Sequence, residues 1–389
     1  HQDNGTNLLM GTGWSEVNGG DGMDCFVDWS SNTTMVSSIY YGDFYRSTNS
    51  GANWTNIISG LTGNAAWVAP IVQNPSPGNP NIFYCGEQNV YKSTNKGTSW
   101  TMLAPLGGSG DVHHIAVAVS NTNVIYASRY SSVYQTTNGG VSWNTVTGTL
   151  PVGSSQITGI AVDNLNANNV YVSLSGYTSG NKVFYSNNGG VSWTNYSTGL
   201  PNIPANCIVF KNNSAGAVYV GTDVGVYYRE LSMSSWIPFM TGLPNVIVQD
   251  LKVYYPTGKL RAGTYGRGTW ETDLYSNPSA VPFAFFTNSF SSACINVPFA
   301  FNDASSNNPT SWSWSFPGGA PATSTVQSPS VTYTATGIYT VTLVATNTVG
   351  ASSPVTITIS VVNTPTATST NTSICVGQTG NLNVSTNAT

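Results

Sequence analysis

The chain has 389 residues, of which 11 are Lys or Arg and 15 are Asp or Glu, so that only 7% are charged and the net charge is −4. Such sparse cations form no basic stripe that could neutralise phosphates, which excludes nucleic acid as a partner. No apolar run reaches the roughly 18–20 residues that a membrane-spanning helix needs. Because Gly, Ser, Thr, Asn and aromatic residues replace the missing charge, the composition predicts strands joined by turns.

The cysteines, the surface composition and the start of the chain give evidence about cellular location. The five cysteines are odd in number, scattered and without CxxC spacing, which indicates neither a zinc site nor a dense disulfide framework. An uncharged surface rich in Ser, Thr and Asn fits an extracellular or cell-surface location. The chain opens at His1 without a visible signal peptide, so we expect an interior piece of a longer polypeptide.

An eight-residue pattern, Ser/Thr-x-Asn-x-Gly-x-x-Trp, occurs four times at intervals of about 45 residues. A degenerate fifth copy ends at Trp236. The pattern residues of the four good copies are Ser47, Asn49, Gly51 and Trp54; Ser93, Asn95, Gly97 and Trp100; Thr136, Asn138, Gly140 and Trp143; and Ser186, Asn188, Gly190 and Trp193.

Three strand-like segments precede each copy in chain order. An apolar run comes first, a second strand follows, and an aromatic strand leads directly into the pattern. With a short segment after the Trp, this makes about four strands per period, which predicts a β-propeller blade. The expected apolar runs are 25–29, 67–72, 114–119, 157–162 and 207–210. We therefore predict five full blades over about 19–246, a short last blade at 247–275, and a partial blade at 1–18 whose inner strands precede His1.

The repeated pattern has a structural role. Its Asn can bond backbone N–H groups two residues on and hold a hairpin turn. Its Gly supplies a backbone angle that other residues avoid. The Trp is large enough to wedge between neighbouring sheets. We therefore expect each copy to fix a turn and to join one blade to the next.

A second module covers 282–362. Tyr339, Val341, Leu343 and Ala345 alternate with Thr340, Thr342, Val344 and Thr346, which is the period of a half-buried strand. Trp314 and Phe316 lie upstream in a Ser-Trp-Ser-Trp-Ser-Phe segment. We predict an all-β chain: a propeller at 1–275, a linker at 276–281, an Ig-like β-sandwich at 282–362, a Thr/Ser linker at 363–373, and the start of a further Ig-like repeat at 374–389.

These motifs resemble known families. The eight-residue copies are similar to the Asp-box (BNR) repeats of sialidase-like, sortilin-like and xyloglucanase-like propellers, with Asn in place of the usual Asp. The segment 263–271 looks like the last blade of such propellers, and the start of the chain resembles a blade of secreted Bacteroidota BNR proteins. The second module resembles a PKD domain, in which Pro317 and Gly318 stand for the usual Gly-Asp. The resemblance implies secretion, through the type IX pathway of Bacteroidota, and surface display.

Several Asp and Glu residues are candidates for a catalytic role. The sialidase Phe/Tyr-Arg-Ile-Pro motif is absent, and a glycosidase would need two carboxylates facing each other across a cleft. Asp21 and Asp24 are the leading catalytic candidates, because a Gly-rich loop could present them to the central channel; the alternative is that they cap backbone N–H groups. The other candidates are Asp28, Glu87, Asp111, Asp163 and Asp223.

His113 and His114, close to Asp111, form the one local cluster that hints at metal binding or acid–base chemistry. Successive strand residues point to opposite faces, so two adjacent histidines cannot both ligate one ion from a regular strand. We therefore expect no metal and no cofactor. Calcium bound by loop carbonyls and Asp is conceivable, but no EF-hand-like run of acids supports it.

Exposed aromatics favour a binding role. Tyr40, Tyr41, Tyr130, Tyr177 and the pair Tyr254–Tyr255 fall at strand ends, where they could form a sugar- or peptide-binding surface or pack between blades. The leading hypothesis is a surface protein whose propeller binds a glycan or a protein, with the PKD module as a spacer. The alternatives are a polysaccharide-active glycoside hydrolase and a structural subunit that contacts other subunits of a surface assembly.

Overall fold

A computed structural model describes residues 5–10, 13–276, 280–363, 367–369 and 384–386. The chain divides into two compact units, His1–Tyr275 and Ser276–Thr389. Within the described ranges the regular structure is β-strand apart from two 3-10 turns, Tyr40–Gly42 and Tyr255–Thr257. No helix in these ranges is long and apolar enough to cross a lipid bilayer.

The first unit is a β-propeller with five four-stranded blades, as the repeat predicts. Blade 1 contains β3 (Cys25–Val27), β4 (Met35–Ile39), β5 (Asp43–Ser47) and β6 (Thr55–Asn56). Blade 2 contains β7 (Ile71–Gln73), β8 (Phe83–Gly86), β9 (Val90–Ser93) and β10 (Thr101–Met102). Blade 3 contains β11 (His114–Val117), β12 (Ile125–Arg129), β13 (Ser132–Thr136) and β14 (Asn144–Thr145). Blade 4 contains β15 (Ile157–Val162), β16 (Val170–Leu174), β17 (Val183–Ser186) and β18 (Thr194–Asn195). Blade 5 contains β19 (Ala205–Phe210), β20 (Val218–Thr222), β21 (Gly225–Arg229) and β22 (Ile237–Pro238).

Two smaller sheets complete this unit. Blade 6 has three strands, β23 (Val248–Tyr254), β24 (Lys259–Thr264) and β25 (Gly268–Asp273). A two-stranded hairpin at the start of the chain consists of β1 (Thr6–Met10) and β2 (Gly13–Asn18).

Each blade is an antiparallel meander, which defines two faces of the propeller. The turns between first and second strands and the eight-residue boxes between third and fourth strands lie on one face, here called the box face. The turns between second and third strands and the connections to the next blade lie on the other, here called the connection face. The first strands of blades 2 to 6, together with residues 22–24 ahead of β3, line a central channel of about 650 Å³.

Apolar side chains fill the space between neighbouring blades. The second strands of blades 2 to 5 each contribute a tyrosine to these layers, and Tyr126, Tyr171 and Tyr219 are completely buried. Burying an aromatic ring is among the largest single apolar contributions to folding. The layers therefore hold the ring of blades together without any disulfide among the described residues.

The boxes form turns held by their own side chains. In the second copy the Ser93 hydroxyl accepts the N–H groups of Asn95 and Gly97, and donates to the Asn95 side-chain oxygen. That oxygen also accepts the N–H of Ser99, four residues on. The sequence predicted that the Asn side chain would accept an N–H two residues on. The Ser hydroxyl accepts such an N–H instead, and the Asn oxygen accepts the N–H four residues on.

The box tryptophans lie between blades. Trp100 is only 5% exposed, and its indole N–H donates to the Ile57 carbonyl of blade 1 at 2.6 Å. Trp193 and Trp236 bond the preceding blade in the same way, through Val146 and Tyr196. Trp54 instead bonds Gly51 of its own box.

The second unit is a two-sheet β-sandwich. Its core contains Phe286, Phe301, Trp314, Val341 and Leu343, all buried, which accounts for the alternation in the sequence. One sheet contains β26 (Phe286–Asn288), β28 (Phe299–Asp303), β32 (Ser330–Tyr333) and β30 (Gly319–Ala320). The other contains β27 (Ser292–Cys294), β34 (Val355–Val362), β33 (Gly337–Thr346), β29 (Ser311–Ser315) and β31 (Thr323–Ser324).

The predicted linkers and the further Ig-like repeat fall mostly outside the described residues. Only β35 (Ala367–Ser369) and β36 (Val384–Thr386), which pair antiparallel, are described beyond Asn363.

Candidate functional site

Asp24 lies at the entrance of the central channel, where the Gly-rich loop delivers it to the first strand of blade 1. One carboxylate oxygen accepts the Cys25 N–H at 2.9 Å, and the other accepts the Ile71 N–H of blade 2 at 3.3 Å. Its backbone carbonyl accepts both the N–H and the hydroxyl of Ser38. Asp24 therefore holds blades 1 and 2 together at the channel, which is the capping role that the sequence left open.

The electrostatic surroundings of Asp24 come from blade 6. Burial raises the pKa of the Asp24 carboxyl, Lys252 lowers it, and Asp250 raises it again. Lys252 and Asp250 form an ion pair at 3.5 Å, and both side chains keep more than half of their solvent exposure in the channel. Such a solvated pair contributes at most about 1 kcal/mol. The channel thus has two carboxylates, Asp24 and Asp250, with Lys252 beside them.

The adjacent histidines both line the channel, His113 just ahead of β11 and His114 at its first position. His113 stacks on Tyr130 with ring centroids 3.6 Å apart, and burial lowers its pKa. His114 lines the channel, where burial and the neighbouring His113 lower its pKa to about 4. His114 is therefore neutral at pH 7. Within the described ranges no group of three or more His, Cys, Asp or Glu side chains is placed to hold a metal ion.

Four other carboxylate candidates, Asp28, Glu87, Asp163 and Asp223, bond groups of the fold. Asp28 is buried on the box face; burial alone would raise its pKa, but hydrogen bonds from Lys96, Ser30 and Gln73 hold it below the ordinary value. Glu87 accepts the Gly63 N–H at 2.7 Å. Asp163 accepts the Leu165 N–H and the Asn169 amide. Asp223 accepts the Asn206 amide at 3.0 Å and the Tyr177 hydroxyl at 3.4 Å.

Three aromatic rings form a cluster on the connection face, between blades 1 and 2. Tyr40 stacks on Trp67 with centroids 5.5 Å apart and an interplanar angle of 15°. Tyr41 meets Trp67 edge-on at 5.1 Å. The three rings, here called the aromatic patch, remain 42%, 60% and 42% exposed for Tyr40, Tyr41 and Trp67 respectively. They are therefore braced against each other while presenting ring surface to solvent.

The backbone beneath the aromatic patch is held in a less common conformation. Tyr41 has φ of 58°, in the left-handed region that a bulky residue seldom adopts. Its N–H donates to the Trp67 carbonyl, which links the turn to the connection between the blades. Residues kept in such a conformation cluster at binding sites.

Two residues of the candidate sites, Trp67 and Asp250, were not identified as candidates from the sequence. The run 67–72 was predicted as an inner strand, but the strand begins at Ile71, because Pro70 has no N–H to give to a ladder. Trp67 is left exposed in the connection. Asp250 was not a candidate, because nothing in its local sequence places it opposite blade 1.

The other predicted aromatics divide between the two faces. Tyr130 and Tyr177 are exposed on the connection face, in the turns of blades 3 and 4. Tyr254 and Tyr255 lie at the box-face turn of blade 6. There the Tyr255 hydroxyl accepts the Asn212 N–H and donates to the Phe210 carbonyl, so this tyrosine joins blades 5 and 6.

Comparison with known proteins identifies the family of the second unit. Residues 276–361 match the family model described as PKD domain. This match covers the β-sandwich. The chain is therefore a β-propeller followed by a PKD domain. No curated protein matches the chain.

Solved structures resemble the chain in fold. An ancestral GH74 enzyme has a TM-score of 0.56 at 15% identity, covering 89% of this chain and 56% of its own. The GH74 xyloglucanase from Xanthomonas campestris has a TM-score of 0.49 at 15% identity, covering 64% of this chain and 44% of its own. The extracellular domain of a putative one-component system from B. thetaiotaomicron has a TM-score of 0.48 at 11% identity, covering 91% and 52%. The chain thus spans about half the length of these proteins.

Proposed function

We propose that this is an extracellular binding protein whose propeller holds a neutral polysaccharide on its connection face, with the PKD domain as a spacer. The observation that carries the proposal is the aromatic patch of Tyr40, Tyr41 and Trp67. Flat, exposed aromatic rings suit the apolar faces of sugar rings. The low charge of the whole chain, 7% of residues, favours a neutral ligand over an acidic or basic one.

A substitution in the aromatic patch tests this proposal. Trp67→Ala should weaken binding to a soluble neutral polysaccharide at least tenfold, because it removes the ring on which both tyrosines rest. Affinity electrophoresis against xyloglucan, mixed-linkage glucan and mannan would measure the loss. Equal retardation of the wild type and Trp67→Ala by a polysaccharide that binds the chain would contradict the assignment of the site.

The matched control is Trp14→Ala, which removes a tryptophan that is 60% exposed on β2. Trp14 lies outside the aromatic patch, so this variant should bind as the wild type does. The control separates a specific site from a general loss of exposed aromatic surface. Failure of all three polysaccharides to bind the wild type would remove the neutral glycan from the proposal.

Polysaccharide hydrolysis is the second candidate, favoured by one observation. Asp24 has a raised pKa in a channel that also contains Asp250, and a glycosidase needs one carboxylic acid and one carboxylate on either side of the bond that it cleaves. In this reading Asp24 would act as the general acid and Asp250 as its partner.

Asp24→Asn and Asp250→Asn test hydrolysis by reducing-end release from the same polysaccharides. Each should reduce any measured rate at least a hundredfold if the pair is catalytic. Asp21→Asn, in the same Gly-rich loop, is the matched comparison for the other sequence candidate. A rate that neither Asp24→Asn nor Asp250→Asn changes would exclude this pair.

A further inference from the structure

Blade 6 lacks the eight-residue box of blades 1 to 4, and no tryptophan follows its last strand, β25, before Trp312 of the second unit. In blades 2, 4 and 5 the box tryptophan fills a site at the boundary with the preceding blade. A cavity of about 340 Å³, here called the wedge cavity, lies at the boundary between blades 5 and 6. Its volume is within the roughly 300–1,000 Å³ of ligand pockets.

The boundary between blades 1 and 2 shows which residues pack together with a box tryptophan. The Ile57 N–H donates to the Phe44 carbonyl, and Cys85 pairs with Tyr91 across two strands. These two contacts locate the equivalent positions in any other pair of blades. The hydrophobic cluster that contains Trp100 includes residues of both blades: Phe44, Ile57 and Leu61 of blade 1, and Phe83, Cys85 and Tyr91 of blade 2.

The wedge cavity is lined by the same positions of blades 5 and 6. The Phe239 N–H donates to the Val226 carbonyl, and Ala262 pairs with Trp270. All six equivalent residues line the cavity: Val226, Phe239, Leu243, Leu260, Ala262 and Trp270. Tyr91 is 3% exposed in the filled boundary, but its equivalent Trp270 is 39% exposed. The walls are therefore those of a tryptophan site that this chain leaves open.

Two backbone carbonyls accept the N–H groups of the tryptophan in the filled sites. Trp100 donates its indole N–H to the Ile57 carbonyl at 2.6 Å and its backbone N–H to the Ser59 carbonyl at 2.9 Å. The tryptophan of blade 5 makes the same two bonds to blade 4. The equivalent carbonyls at the wedge cavity are those of Phe239 and Thr241, and the described residues provide no donor to either. The cavity therefore offers two acceptors to an occupant.

A glycine lies against the tryptophan backbone in the filled sites. A Cβ on Gly60 would collide with the Trp100 carbonyl oxygen, and one on Gly199 would lie 2.9 Å from the backbone nitrogen of Trp236. The equivalent Gly242 has φ of 82°, and apart from its chain neighbours no atom of the described residues lies within 4 Å of such a Cβ. Space for a second main chain is therefore left beside the two acceptors.

These features suit a tryptophan residue within a polypeptide better than a free aromatic molecule. The two acceptors match the indole N–H and the backbone N–H of one residue, and the space at Gly242 accommodates its main chain. Indole is the aromatic side chain that combines a large apolar surface with an obligatory N–H donor. Apart from Trp270, which forms a wall, the tryptophans of this chain lie outside the wedge cavity.

We propose that the wedge cavity binds a tryptophan residue of a partner polypeptide, whose indole N–H donates to the Phe239 carbonyl and whose backbone N–H donates to the Thr241 carbonyl. The bound residue packs between blades 5 and 6 as Trp100 packs between blades 1 and 2, and it covers the exposed ring of Trp270. This site is separate from the aromatic patch and independent of the glycan proposed above.

A peptide that contains a box tests the proposal on the full chain. The probe is a fluorescein-labelled copy of residues 93–102, which contain the second box and β10. Its fluorescence anisotropy should rise to saturation as the chain is added, within a range of up to about 0.3 mM. A peptide with the substitution Trp100→Ala should bind at least tenfold more weakly, because it has lost the ring and one of the two donors.

Two threonines of β25 provide a matched pair of variants of the chain. Both are exposed, but Thr272 lines the wedge cavity, whereas Thr269 lines the cavity on the opposite side of the sheet. Thr272→Glu places bulk and charge at the wall and should weaken peptide binding at least tenfold. Thr269→Glu should bind the peptide as the wild type does. Circular dichroism and Tm establish that both variants fold.

Four outcomes would overturn the proposal. One is the absence of saturable binding to the wild type, and another is equal binding of the peptide to Thr272→Glu and Thr269→Glu, which would place it elsewhere. Free indole that displaces the labelled peptide as effectively as unlabelled peptide does would identify a site for a small aromatic molecule. A wild-type dimer in sedimentation that Thr272→Glu dissociates would assign the wedge cavity to a second copy of the chain.

Discussion

The two faces of the propeller use their polar and aromatic residues differently. On the box face the same Ser, Asn and Trp recur; Ser93 and Asn95 bond within their own turn, and Trp100 bonds the preceding blade. On the connection face the turns differ from blade to blade, and rings such as Tyr41 and Trp67 remain in solvent. The repeated residues therefore maintain the fold, and a binding function is to be sought where the repeat is broken.

The largest expected difference between the two faces is in the effect on stability of replacing a tryptophan on each. Trp100→Ala removes a buried indole and its bond to Ile57, so the free energy of unfolding should fall by about 3–5 kcal/mol. Trp67→Ala should cost about 1 kcal/mol or less, because its ring is 42% exposed. Denaturant unfolding followed by circular dichroism measures both. Similar losses for the two variants would mean that the faces do not differ as described.

The second prediction concerns the buried carboxylate of the box face. The Lys96 ammonium lies 2.5 Å from Asp28, whose side chain is fully buried. Lys96→Met leaves that carboxylate without its counter-ion and should cost about 3 kcal/mol at pH 7. Lys92→Met, on strand β9 that leads into the same box, should have a much smaller effect.

The Asp28–Lys96 pair also determines how the stability of the fold changes with pH. Because the folded-state pKa of Asp28 is lowered, its contribution to stability is present above the unfolded pKa of about 3.9 and is lost as the pH falls through the folded value. Lys96→Met raises the folded pKa toward the unfolded value or above it, so the variant should lose less stability than the wild type as the pH falls through this range. Parallel acid-unfolding profiles for the two chains would show that Lys96 does not hold the Asp28 carboxylate ionised.

The difference between the faces also explains what the sequence could predict. A box repeats with fixed spacing, so the blades, the turns and the wedging Trp100 follow from local pattern. The PKD strand 337–346 follows in the same way from its alternation. The aromatic patch joins residues from a turn and a connection more than 20 positions apart, and Asp250 meets Asp24 only because the ring brings blade 6 beside blade 1. The first meeting depends on how two adjacent blades pack and the second on the circular arrangement of all the blades, and no local pattern specifies either.

The smallest expected effect lies within the boxes themselves. Their fourth position has a left-handed backbone in all four good copies: it is Gly139 or Gly189 in two of them, but Ser50 and Lys96 in the others, with φ of 58° and 55°. Glycine adopts this region without the steric cost that a Cβ imposes. Ser50→Gly should therefore stabilise the chain by about 0.5–1 kcal/mol. Ser131→Gly, in an exposed turn without a positive φ, should be neutral or slightly destabilising, since there glycine only adds freedom to the unfolded chain. A loss of stability in Ser50→Gly would show that the serine contributes more to the box than its strained backbone takes away.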